Sequence, residues 1–230
     1  MVIGNGMIAT RFSAYKNKED ILIFASGVSN SKDTHPENFD REFRLLEQTL
    51  KANPDKMLVY FSTCSIQDPD LASAPYVIHK KRMEEFIQGR ASRFLLFRIS
   101  NLAGMSNNPY TLLNYFIFAV LNNQPITVWE RAYRNIIGID DMYLLVDDFI
   151  KREATIEEPV NIANPENYSV LYILDCIETH LGKKAIRRTV TKGADYKIDI
   201  SAIEEAIERL NIRFGTDYLP RQLKMYYHSR

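Results

Sequence analysis

Residues 58–80, LVYFSTCSIQDPDLASAPYVIHK, carry side chains from which proton-transfer chemistry can be built. Ser62, Thr63, Cys64 and Ser65 follow an apolar run, and Tyr76 and Lys80 stand four positions apart at the far end. Residues four apart on a helix share a face. A free phenol ionises near ~10, too high to exchange protons at neutral pH, and a neighbouring ammonium lowers that value. The spacing predicts that Lys80 activates Tyr76 while Thr63, at a strand end, holds a carbonyl or alcohol oxygen beside the phenol. Proton transfer at a sugar-type C–OH/C=O needs these parts. With 13 tyrosines and a like number of lysines in 230 residues, about one such pair arises by chance. The pair therefore takes its meaning from the elements around it.

Those elements alternate. Met1-Val2-Ile3 is a short apolar start, followed by Gly4-Asn5-Gly6-Met7-Ile8-Ala9 in the form G-x-G-x-x-A. Glycine there lets the backbone approach a pyrophosphate, and the helix that follows offers free N–H groups. Residues 21–25, 58–61 and 94–98 are continuous apolar runs of the kind buried in parallel sheets. Residues 37–52 place Phe39, Phe43, Leu46 and Leu50 at helical spacing, and a second helix is expected over 76–88. Repeated strand–helix alternation implies a parallel sheet with helices on both faces. Beyond Gly104 the pattern shortens and mixes. A buried helix is expected over 109–122, then strands over 125–129 and from 133. The latter runs into a helix that ends near Phe149. A short strand over 160–163 and amphipathic helices over 169–181 and 201–210 complete the chain. Gly182 supplies the stop of the first of these.

Composition narrows the class. Basic and acidic residues balance at 29 each, which argues against a nucleic-acid-binding surface, where a basic excess is the rule. The most apolar stretch, 112–121, is too short to span a bilayer. No charged segment leading into an apolar run is visible at the N-terminus. Cys64 and Cys176 make no disulfide framework, and His35, His79, His180 and His228 form no ligand pattern, so no metal site is expected. A soluble, cytoplasmic protein without nucleic-acid or membrane partners is the expectation. Cys64, without a paired base, reads as a small buried hydrophobe. His79 is expected at the surface or an interface, and Asp140 and Asp141 as caps of the helix they begin.

Taken in order, the motifs resemble those of the extended short-chain dehydrogenase/reductase family, the sugar-nucleotide epimerases, dehydratases and keto-reductases. GNGMIA resembles its cofactor turn. ILIFASGVSNS is similar to the strand that ends near the nicotinamide ribose, and Asn38 to the Asn that starts the next helix. YFSTCSI and YVIHK resemble the hydroxyl-bearing strand end and the Tyr-x-x-x-Lys helix. FRISNLAG is similar to the Arg-x-x-Asn-x-x-Gly element, and RNIIGIDD to the stretch whose Arg meets substrate phosphate. VNIANPENYSVLYILDCIETHLGK resembles the closing strand and helix of the substrate lobe.

The resemblance implies an α/β fold: a truncated Rossmann-like parallel sheet over 1–104 and a small mixed C-terminal lobe over 105–230, with contributions free to interleave. It implies NAD or NADP held by Gly4, Asn5, Gly6, Met7, Ile8, Ala25, Ser26 and Lys80. Thr63, Tyr76 and Lys80 become the catalytic set, and Asn101 and Arg134 the contacts to a nucleotide sugar. It further implies a homodimer, with Phe39, Phe43, Met83 and Phe86 available for a helical bundle. The chain departs from the family in one region. No acid stands about 20 residues past the glycines to take the adenosine ribose. The second and third strands with their helix are missing, and Asn135 replaces a common Asp. Two functions follow: an NAD(P)-linked oxidoreductase or epimerase acting on a nucleotide-activated sugar, or a non-catalytic, cofactor-free relative that binds a sugar nucleotide or a partner protein.

Overall fold

The computed structural model describes residues 1–154 and 158–227; His228 lies outside them. The first half supplies β1 (Val2–Ile3), α1 (Met7–Arg11), β2 (Ile21–Phe24), α2 (Pro36–Ala52), β3 (Met57–Thr63), α3 (Pro75–Arg90) and β4 (Phe94–Ile99). Then come β5 (Asn101–Ala103), α4 (Leu112–Leu121), β6 (Ile126–Trp129), β7 (Tyr133–Gly138) and α5 (Ile139–Lys151). The chain closes with β8 (Val160–Ile162), β9 (Asn167–Ser169), α6 (Val170–Leu181), β10 (Arg187–Val190), α7 (Glu204–Arg209) and α8 (Tyr218–Tyr226).

The main sheet has the order β1-β2-β3-β4-β8, with every pairing parallel. Its central strands are apolar on both faces because both faces are covered. Ile23, Val59 and Leu95 point to the side of α5 and α7, while Leu22, Leu58 and Leu96 point to α2 and α3. The fifth strand, β8, comes from the second half of the chain, so the two halves interleave in one sheet.

Strand β1 is an outer edge, and its connection to β2 is unusual. Phe12 and Tyr15, just past α1, pack on the α5 face, whereas α2 and α3 cover the opposite face. The strands advance in one direction throughout, so β1-α1-β2 has the hand opposite to both crossovers that follow. Parallel crossovers are overwhelmingly right-handed, which makes the first the left-handed exception. This is the arrangement left when strands beyond β1 are taken from a sheet wound outward in both directions.

The smaller layer joins β5, β7 and β9 in one sheet and β6 and β10 in another, around a second core with α4, α6 and α8. Helix α6 is capped by Ser169, whose Oγ accepts from Tyr172 N at 3.1 Å, and ends at Gly182 with φ +61. Asp140 and Asp141 do not cap α5. Its N-cap is Gly138 and no side chain caps it, because both carboxylates serve α8 instead. Tyr226 donates to Asp140 at 2.5 Å, Tyr218 to Asp141 at 2.5 Å, and Arg11 binds Asp140 at 2.6 Å. The tail is thereby fastened where the main sheet meets the smaller layer.

Asn135 explains itself by its neighbours. Its Nδ2 donates to the carbonyls of Asn164 at 2.8 Å and Glu166 at 3.2 Å and to Asn167 Oδ1 at 2.9 Å, while its Oδ1 accepts from Asn164 N at 3.0 Å. A carboxylate here would face three acceptor oxygens. Asn135→Asp is expected to lower unfolding stability in urea by about 2–4 kcal/mol, the scale of buried polar groups left unpaired with a charge added. An unchanged midpoint would show that this network is dispensable.

Candidate active site

A cleft of about 1870 Å³ opens at the C-terminal ends of the main-sheet strands, between that sheet and the smaller layer. Such strand ends are where open parallel sheets place ligands. Asn5, Gly6, Met7, Ile8, Ala25, Ser26, Thr63, Tyr76, Lys80, Asn101 and Arg134 all line it. Of the residues expected to hold cofactor, do the chemistry or meet substrate, Gly4 alone is not in the lining; it lies under the turn and shapes it. Gly4 has φ +121, and a Cβ there would collide with the Ala25 carbonyl oxygen, so the approach of the first turn to the end of β2 requires glycine. Gly6 then caps α1, and Ala9 is buried beneath it.

The hydroxyl-bearing end of β3 divides its side chains between cleft and core. Thr63 Oγ1 accepts from Ser65 N at 3.1 Å and lies beside the Tyr76 phenol, whose pKa it acts to lower. Ser62 turns away and donates to Glu84 at 2.5 Å, and Glu84 is also gripped by Arg98. Cys64 donates its thiol to the Arg98 carbonyl at 3.1 Å. Burial pushes that thiol up to about 12, so it is inert, as its lack of a base partner implied.

Lys80 is less free than the Tyr-x-x-x-Lys spacing implied. Its ammonium is buried and donates to Glu42 Oε1 at 2.8 Å and to the Tyr60 hydroxyl at 3.0 Å. Glu42, fully buried on α2, also accepts from Tyr60 at 2.5 Å and from Val28 N at 2.7 Å, and lies 3.0 Å from His79 Nε2. Burial alone would push the Glu42 carboxyl up. The Lys80 charge and the hydrogen bonds from His79, Lys80 and Tyr60 prevail and hold it well below the carboxylate range. Tyr76 is raised rather than lowered: burial outweighs the Lys80 charge, and Glu42 adds to the rise. The expected activation of the phenol is therefore corrected.

His79 is likewise corrected from surface to core. It stands three residues after Tyr76, on the same helical face, and stacks on Phe39 with ring centroids 4.8 Å apart. Met83, expected at a dimer face, is fully buried between α3 and the sheet. Glu42 is the residue that sequence reasoning missed. A single acid inside an otherwise apolar helical stripe, four residues after Asn38, was the available signal.

The substrate-side residues also have protein partners. Asn101 donates to the Asn135 carbonyl at 2.8 Å, tying β5 to β7. Arg134 lies in the cleft with Nη1 2.7 Å from the Tyr133 carbonyl and 3.5 Å from Asp68 Oδ2. Asp68 is buried with that oxygen lacking a hydrogen bond, and burial raises its carboxyl. Ser100 Oγ, on the same cleft, is also unsatisfied. Tyr196 closes this end, its phenol pushed up to about 12 by burial and by Asp68.

No family model matches the chain, and no curated protein matches it in sequence. Solved structures do match in fold. One is UDP-glucuronic acid 4-epimerase from Bacillus cereus, in complex with UDP-glucuronic acid and NAD. It has a TM-score of 0.69 at 17% identity, over 94% of this chain and 76% of that one. Another is dTDP-glucose 4,6-dehydratase from Bacillus anthracis in complex with NAD, at 0.68 and 15%, over 95% and 76%. UDP-glucose 4-epimerase from Thermus thermophilus with NAD gives 0.68 and 13%, over 94% and 80%. The Rossmann-like α/β fold of these sugar-nucleotide enzymes is thus the fold of this chain.

The buried Glu42 predicts a pH dependence. Its folded value lies below the ordinary 4.5, so the stability it contributes is complete above that value and is lost as pH falls below it. Unfolding free energy measured from about pH 5 to about pH 3 should decline, and Glu42→Gln should flatten that decline by up to about one bound proton. Equal slopes in the two proteins would show that Glu42 is not the charged group the geometry describes.

Proposed function

We propose that the chain is an NAD(P)-linked enzyme acting on a nucleotide-activated sugar, of the epimerase, dehydratase or keto-reductase type. The observation that carries this reading is the convergence of the Gly4 turn, the Thr63–Tyr76 pair, Lys80 and Arg134 on one cleft. The nicotinamide half of a dinucleotide fits these residues. Gly4 keeps the turn clear of side chain, Ala25 and Ser26 line the floor beside it, and the Thr63–Tyr76 pair stands at the next strand end. When bound, the cofactor would supply hydride transfer at a sugar carbon. Tyr76 moves the matching proton, Thr63 orients the reacting oxygen, and Arg134 holds phosphate after exchanging Asp68 for the ligand. Asn101 positions the sugar from β5, the strand beside Arg134's. A homodimer through α2 and α3 belongs to the same proposal, resting on the exposed Ile78 and on the Phe43–Phe86 pair, 4.7 Å between centroids.

A second reading, a cofactor-free sugar-nucleotide binder, is favoured by β1 lying at the sheet edge. Among the described residues no strand beyond it offers an acid to an adenosine ribose. Calorimetric titration with NAD⁺, NADH, NADP⁺ and NADPH separates the two. Binding is expected for at least one; none at millimolar concentration, with cofactor-free protein, would leave the second reading. Tyr76→Phe is expected to abolish turnover with the melting temperature little changed, and retained turnover would remove the catalytic assignment. Arg134→Ala should weaken binding of UDP-glucose or UDP-glucuronic acid, used as probes, by about 1.5–3 kcal/mol, the scale of charged hydrogen bonds. Unchanged affinity for both would return Arg134 to a purely structural pairing with Asp68.

A further inference from the structure

We propose that Glu42 is a positioning residue that cancels the Lys80 charge, so that Tyr76 enters the reaction as a neutral phenol. The reaction class rests on the reading above; the cancellation rests on the side-chain cluster under the cleft floor. An ammonium acts on a nearby phenol as a full charge only when its counter-charge is remote. Here the Glu42 carboxylate is 2.8 Å from Lys80 Nζ, on a fully buried side chain of α2, and is fixed by the Tyr60 hydroxyl and the Val28 amide. The loop after β2 lies directly over the pair: a Cβ on Gly27 would come within 2.7 Å of Lys80 Nζ and 3.0 Å of Glu42 Oε1. Tyr76 thus meets a dipole instead of a cation.

The other groups around the phenol are held by partners of their own or carry no charge. His79 on α3 is itself bound to Glu42. From β3 come the neutral hydroxyls of Tyr60 and Thr63, and just after it the Cys64 thiol. Glu84 and Arg98, further along the same wall, are closed on each other at 2.6 Å. Val28, Val77 and Phe39 pack around the ring and are apolar. With the Lys80 charge matched by Glu42 and the ring largely buried, the protonated phenol is favoured.

A neutral Tyr76 can begin a reduction without first losing a proton. The substrate carbonyl carbon takes hydride from a reduced nicotinamide dinucleotide, which is oxidised. The carbonyl π pair becomes an O–H bond with the proton that Tyr76 gives up, and the resulting phenolate regains a proton from water.

The test follows ionisation of residue 76 in the free protein, with 3,5-difluorotyrosine at that position to bring the phenol into range and ¹⁹F NMR to read it. The same label is placed in Glu42→Gln and in Glu42→Gln/Lys80→Met. The single variant is expected to shift the midpoint down by about 1 pH unit or more, since Lys80 then acts uncancelled. The double variant, which removes both charges, is expected to titrate within about 0.5 unit of the unaltered protein. An unmoved midpoint in folded Glu42→Gln overturns the proposal. Should that variant not fold, the double variant decides, because it leaves no unpaired buried charge. A midpoint about a unit or more from the unaltered protein, in either direction, overturns it. No cofactor or substrate enters the measurement, so a failure of NAD(P) binding and a failure of this inference are distinguishable.

Discussion

The arrangement of the site depends on the buried Glu42 carboxylate. It gathers hydrogen bonds from α3 through Lys80 and His79, from β3 through Tyr60, and from the loop after β2 through the Val28 amide. Burying two charges costs more than their attraction returns unless every polar atom around them is matched. Both oxygens of Glu42 are matched, so the pair persists where a lone ammonium would not. The same contacts fix the angle at which α3 meets the strand end, and therefore where the Tyr76 phenol sits against Thr63.

The trimmed side of the sheet shows what the fold needs to keep this site. A parallel sheet is held by ladders between neighbouring strands, and β2, β3 and β4 keep their full ladders with β1 as the edge strand among the described residues. The Gly4 turn survives because Ala25 presses on it from β2, not because of a strand on the other side. The cleft is built at the ends of the strands that are present, beginning with the turn after edge strand β1.

Much of this was legible in the sequence, and the exceptions share a cause. The apolar runs of β2, β3 and β4 and the stripes of α2 and α6 read correctly because their burial follows a local period. The cleft could be foreseen because the motifs come in order along the strand ends. The partner of Lys80 could not, since Glu42 lies 38 residues away and an acid on a helix usually faces water. His79 was misjudged because its three-residue offset from Tyr76 places it inward with the phenol. Asp140 and Asp141 looked like caps by position, but Tyr218 and Tyr226, far off in the chain, claim them. Helix α8 is amphipathic but short, and strand β10 is short and half exposed; both are held by the smaller layer they complete.

The short β1 carries one more consequence. Removing outer strands from a sheet uncovers a new row of backbone donors and acceptors, the template on which chains join edge to edge and aggregate. Here that row is two residues long and breaks at once into Gly-Asn-Gly. The edge of the sheet therefore offers a neighbouring chain almost nothing to pair with.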